Sequence, residues 1–187
     1  LVNSLRAQGV PVDGIGVQLH WDRFDAEPDY DSIRANFERF ADAGFDVFFT
    51  EVDVAALKTS DAGRDSPTQA QLQRQSTIYE NLLQLALDMP AVKSFLLWDA
   101  ADDQSWLHPT VNDMGDTPTG TYMYPTPFWG GDLAGEYAIS AKPAYYGMQR
   151  VLSEFVSQVR LTNAWGPESG ALTRLGLSGD GISYSPL

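Results

Sequence analysis

Glu51 and Asp53 stand two residues apart at the end of the run FDVFFTEVDV, Phe45 to Val54. Val47, Phe48 and Phe49 carry the β-branched and aromatic bias of a buried parallel strand, and the two carboxylates arrive where that apolar run stops. Burying an unpaired carboxylate is unfavourable, so such groups seldom sit at the end of a buried strand without a partner. In barrels of alternating strands and helices, that end of each strand is where reacting residues sit. Two more clusters follow the same pattern. Ile15, Val17 and Leu19 alternate along a strand that ends in Gln18 and His20, and SFLLW (94 to 98) leads into WDAADDQSW with Trp98, Asp102 and Trp106.

These side chains narrow the chemistry. Trp98 and Trp106 suggest platforms for sugar rings, whose C–H faces pack on aromatic faces, while Gln, His and Asp hydrogen-bond hydroxyls. Only His20 and His108 are present and cysteine is absent, so a zinc site is not expected. No serine lies in a nucleophile-elbow context. The acidic run at Asp99, Asp102 and Asp103 reads as solvated and not as a calcium loop. Carboxylate chemistry remains. The bland alternative is a glutamate that opens a solvated loop, a structural histidine and tryptophans that fill the core.

The elements that must hold these groups can be read in order. Residues 1 to 8 read as the end of a helix closed by Gly9, as though the chain begins inside a larger element. A helix is expected from about Ser32 to Ala43, capped by Asp31 or Ser32, with Ile33, Phe37 and Phe40 on one face and Gly44 as its stop. Ser66, Pro67 and Gln69 predict a capping box opening the next helix, whose stripe is Leu72, Tyr79, Leu82, Leu83 and Ala86. Leu107 to Ala141 reads as a long loop that builds part of a binding surface. A last helix from Pro143 places Tyr146, Val151, Leu152, Phe155 and Val159 on a helical period, and 161–187 reads as a loop or partly disordered tail. Three strands joined by helical crossovers are parallel, and alone they leave two open edges and an apolar face. The pattern is that of an α/β chain, part of a barrel.

Composition sets outer bounds. The 187 residues suit one domain burying about 70% of its unfolded surface. A net charge of −13 disfavours nucleic acid and anionic membrane surfaces and suits a neutral ligand. No apolar run approaches the length of a membrane span.

Four segments together, DGIGVQLH (13 to 20), FTEVDV (49 to 54), WDAADDQSW (98 to 106) and AKPAYYGMQRVL (141 to 152), resemble the C-terminal part of the family ten glycoside hydrolases, endo-β-1,4-xylanases. Motif order and spacing agree over about residues 1 to 158. The resemblance implies part of a (β/α)8 TIM barrel, its sixth to eighth strands, with residues 1–160 as the C-terminal part of the catalytic domain. It implies hydrolysis of internal bonds in xylan or xylo-oligosaccharides with retention of configuration, no cofactor and no metal. Glu51 looks like the nucleophile, His20 its hydrogen-bonding partner, and Asp53 the group that orients the imidazole. Gln18, Trp98, Asp102 and Trp106 look like substrate-binding residues.

A retaining glycosidase needs a second carboxylate about 5–5.5 Å from the first, acting as acid and then base. In the family that glutamate lies on the fourth strand in a WDVVNE-like motif, which does not occur here, so the N-terminal part of the barrel is the implied partner. Asp99 stands where the family usually has glycine, and 110 to 141 is longer than usual. Xylan being extracellular, the resemblance implies a secreted protein. A carbohydrate-binding or interaction module without turnover is the competing reading. A remnant that folds only with a complementary chain is a third.

Overall fold

The computed structural model describes residues 1–23, 26–57, 66–107, 123–133 and 136–164. A short helix α1 (Val2–Ala7) leads into strand β1 (Gly14–Trp21), helix α2 (Tyr30–Asp42) and strand β2 (Asp46–Val54). Helix α3 (Gln69–Asp88) and strand β3 (Val92–Leu97) follow, then a 3-10 turn (Asp102–Gln104). A hairpin β4 (Phe128–Leu133) and β5 (Glu136–Ala141) precedes helix α4 (Pro143–Ala164). β1, β2 and β3 form a parallel sheet with β2 central, and β4 and β5 pair antiparallel. This is a portion of a (β/α)8 barrel.

The two short crossovers into β1 and β2 begin alike. After α1, Gly9 at φ 80° donates to the Arg6 carbonyl and Val10 to that of Leu5; after α2, Gly44 at φ 76° donates to Ala41 and Phe45 to Phe40. Both are Schellman turns, whose left-handed residue suits glycine. Arg6 joins them: its guanidinium donates to the carbonyls of Val12, Ala43 and Gly44 and lies 3.8 Å above the Phe45 ring.

Two caps lie elsewhere than expected. α2 is capped by Asp29, which accepts from the Ser32 amide, and not by Asp31 or Ser32. The capping box of α3 is Thr68 with Gln71, two residues after the predicted Ser66 and Gln69. The predicted stripes of both helices do meet the sheet: Phe37 from α2 and Tyr79, Leu82 and Ala86 from α3 pack with Val47, Phe49, Val52 and Val54. Burying each such side chain contributes roughly 1.5–3 kcal/mol.

The segment expected as one long loop contains the β4–β5 hairpin, and the remainder of its first half lies outside the described residues, as does His108. The chain divides into two compact units, Leu1–Met148 and a second starting at Gln149. α4 continues through residues 161 to 164, where loop was expected; the predicted tail beyond 164 lies outside the described residues. On α4, Val151 and Val159 are buried, whereas Tyr146 and Leu152, expected beside them, are exposed. Ala144 belongs to the sheet–helix core with Met148 packed against it. The buried stripe therefore runs 144, 148, 151, 155, 159, and positions 146 and 152 are out of phase with it.

Candidate active site

Which way Glu51 faces depends on one extra residue. Between Phe49 and Val52, β2 advances three residues while β1 advances two (Val17 to Leu19) and β3 advances two (Phe95 to Leu97). The surplus is a bulge at Thr50. Regular alternation from Phe49 would send Glu51 and Asp53 toward the helices. The bulge instead lets Phe49, Val52 and Val54 all face the helices, and Glu51 and Asp53 turn to the opposite face beside Gln18 and His20. Gly16 makes room for it, since a Cβ there would meet the Thr50 Cγ2 at 3.0 Å.

On that face the side chains form a closed array. Gln18 Nε2 donates to Glu51 Oε1 at 2.8 Å. His20 Nε2 lies 3.2 Å from Glu51 Oε2, and His20 Nδ1 lies 2.8 Å from Asp53 Oδ2. Trp106 Nε1 donates to the same Asp53 oxygen at 2.9 Å. The imidazole is flanked by Trp98 and Trp106, both edge-on, at 6.2 and 5.3 Å between ring centroids. Both oxygens of Glu51 are thus held, one by an amide and one by an imidazole, and its rotamer is fixed.

Asp53 is 1% exposed, and burial pushes its carboxyl above the ordinary value of 3.8, opposed by the hydrogen bonds from Trp106 and His20. With hydrogen on Nε2 the imidazole donates to Glu51, with hydrogen on Nδ1 it donates to Asp53, and the protonated ring does both. Asp99, half-buried nearby, is also raised by burial, opposed by the Ser105 hydroxyl and by the Trp106 amide, which donates to it at 3.3 Å.

Gln18, His20, Glu51, Asp53, Trp98 and Trp106 are brought together as the sequence suggests. Asp102, expected beside them as a substrate-binding residue, is held apart from this array. It is 5% exposed, accepts from the Thr126 amide at 2.9 Å and hydroxyl at 3.1 Å, and pairs with Lys142 Nζ at 2.5 Å. Burial raises its carboxyl, opposed by Lys142. Burial also lowers Lys142, opposed by Asp102, to about 8. Sequence reasoning missed Lys142 and Thr126, because nothing in the local pattern marks either as a partner of Asp102. It also missed Gln75, fully buried, which donates to the carbonyls of Val54 (2.6 Å) and Tyr124 (2.7 Å) and ties the end of β2 to the segment before the hairpin.

The chain is similar to proteins of known name. An endo-1,4-β-xylanase of Geobacillus stearothermophilus is 36% identical over 110 residues, covering 57% of this chain and 33% of the relative. Endo-1,4-β-xylanase B of Thermotoga neapolitana is 34% identical over 107 residues, covering 57% and 29%. Among solved structures, native xylanase 10B of Thermotoga maritima superposes with a TM-score of 0.63 at 31% identity, over 84% of this chain and 41% of the other. The xylanase 10B of Thermotoga petrophila, solved with xylobiose, gives 0.61 at 33% identity, over 82% and 40%. The chain thus spans about a third to two-fifths of the length of these relatives. The family profile described as glycosyl hydrolase family 10 matches residues 1–150, the stretch that carries every strand of the parallel sheet and the whole array around Glu51, and the chain belongs to that family.

Proposed function

We propose that this chain carries the nucleophile half of the active site of a retaining endo-1,4-β-xylanase. The observation that carries the reading is the Glu51 carboxylate, held on both oxygens at the carboxyl end of β2 by Gln18 and His20, with Asp53 and Trp106 behind the imidazole. Glu51 attacks the anomeric carbon, a C–O bond to the enzyme forms as the glycosidic C–O bond breaks, and the leaving oxygen takes a proton from the acid. Water then cleaves the glycosyl-enzyme, activated by that residue as base. Trp98 and Trp106 wall the sugar. Asp53 and Asp102 are engaged as described, so the acid–base carboxylate is proposed to come from a preceding part of the barrel. The relatives' names supply the substrate class, xylan, and xylan being an extracellular polymer, the protein acts outside the cell.

The test separates the nucleophile from the acid. A 2-fluoro xylobioside with an activated leaving group needs no protonation, so intact mass and peptide mapping after incubation report Glu51 alone. A glycosyl adduct on Glu51, absent in Glu51→Gln, is the expected result. A folded chain without adduct overturns the claim that these strands assemble a working nucleophile. The second reading, sugar binding without turnover, is favoured by the 45% exposure of Trp98. It predicts xylo-oligosaccharide binding that Glu51→Gln leaves unchanged and Trp98→Ala abolishes.

A further inference from the structure

Lys142 is 0% exposed, and its ammonium meets four groups: Asp102, the Thr126 carbonyl at 2.7 Å, the Tyr124 carbonyl at 3.1 Å and the face of Trp129 at 4.6 Å. A buried ion pair is a poor route to stability, since an apolar replacement is often neutral or better. What a pair of this kind does offer is a single permitted placement of the chain segments that carry it. Here one of those segments is the turn Asp102–Gln104, which runs directly into Ser105, fully buried, and Trp106.

We propose that Lys142 is a positioning residue for the site: by fixing Asp102 it holds the turn that presents the Trp106 indole to Asp53. The stretch from Trp98 to Leu107 leaves β3, where the Trp98 amide donates to the Val52 carbonyl at 3.1 Å, and returns with three further attachments in sequence. Asp99 accepts from the Trp106 amide, Asp102 is locked to Thr126 and Lys142, and the Trp106 indole donates to Asp53. The first closes the stretch on itself, so beyond the Trp98 anchor the second sets where the turn lies. Release of Lys142 removes the ion pair that fixes Asp102, the turn is freed to shift, and the indole is drawn off Asp53. His20, and through it Glu51, then loses the group that backs it. The proposal rests on the reading of this array as the nucleophile's support.

The test reads the indole directly and needs no substrate. In the uniformly ¹⁵N-labelled full chain, five indole N–H signals are expected from its five tryptophans, and Trp106→Phe identifies the one at issue. Lys142→Met should move that signal upfield and speed its exchange with solvent by roughly ten- to a hundredfold. Lys142→Met/Asp102→Asn, which leaves no charge in the pocket, serves where the single variant does not fold, and the same change is expected. Leu82→Ala, a core truncation on the helix side, should leave the signal where it is. A folded double variant whose Trp106 indole keeps its shift and slow exchange overturns the proposal. The glycosyl-adduct experiment stands apart: an indole that responds in a chain that forms no adduct keeps the latch and removes the nucleophile reading, and the converse result does the reverse.

Discussion

Removing the imidazole of His20 is the sharpest probe of the array. Its bond to Asp53 is 2.8 Å long, to a carboxyl whose side chain is 2% exposed, the charge-assisted kind that contributes about 1.5–3 kcal/mol. Its contact to Glu51 is 3.2 Å, to a carboxylate whose side chain is 18% exposed, and adds about 0.5–1 kcal/mol. His20→Ala should therefore cost about 2–4 kcal/mol, a large share of the 5–15 kcal/mol of a typical domain. At a slope near 2 kcal/mol/M, the urea midpoint falls by about 1–2 M. A double-mutant cycle with Asp53→Ala isolates the bond, because loss of the Trp106 contact appears in both arms and cancels. Urea unfolding followed by circular dichroism at pH 7 should return a coupling of about 1.5–3 kcal/mol. A coupling below about 0.5 kcal/mol, the ordinary additivity error, would refute the claim that the two residues form one supporting unit.

Two further outcomes are expected. Tyr79→Phe removes a buried hydroxyl that donates to the Pro125 carbonyl at 2.6 Å, but that carbonyl keeps the Val54 amide at 3.1 Å; the loss should be only about 1 kcal/mol by urea unfolding, and a loss above about 3 kcal/mol would show the carbonyl is left orphaned. Burial holds the Asp53 proton at pH values where the unfolded chain has released it, so its contribution to stability is full below pH 3.8 and is lost as pH rises through the raised folded-state value. Asp53→Asn should flatten that part of the curve of urea midpoint against pH, and an unchanged slope sinks the assignment.

The site was legible because each strand announces its polar end. Apolar runs close in Gln18 and His20, in Glu51 and Asp53, and in Trp98, and parallel strands must then deliver them to one edge of the sheet. The phase break that aims Glu51 shows as buried apolar residues at 47, 49, 52 and 54, but a lone strand pattern does not say which side of the break is regular. The caps slipped by two residues because Ser66–Gln69 and Thr68–Gln71 are overlapping boxes, and local chemistry alone does not choose between them. The hairpin escaped because its strands lack a clear buried side, as the 52% exposure of Ile139 shows, and alternation is then too weak to read. The ion pair of Asp102 escaped for a different reason. Its partner Lys142 lies 40 positions further on, and long-range burial of a charge leaves no trace in either neighbourhood.

The bulge has a consequence for how this strand tolerates changes of length. Thr50 faces no residue of β1 or β3, so it alone in β2 is counted by the chain and not by the ladder. A one-residue deletion there would leave Phe49 and Glu51 as ordinary alternating neighbours, with the core and polar faces as they are. A deletion anywhere from Val52 to Asp53 would instead exchange the two faces for every residue beyond it, sending a carboxylate toward Tyr79 and Leu82 or a valine toward His20. Length variation among sequences of this strand should therefore collect at one position, beside a glycine, Gly16, that leaves space for it.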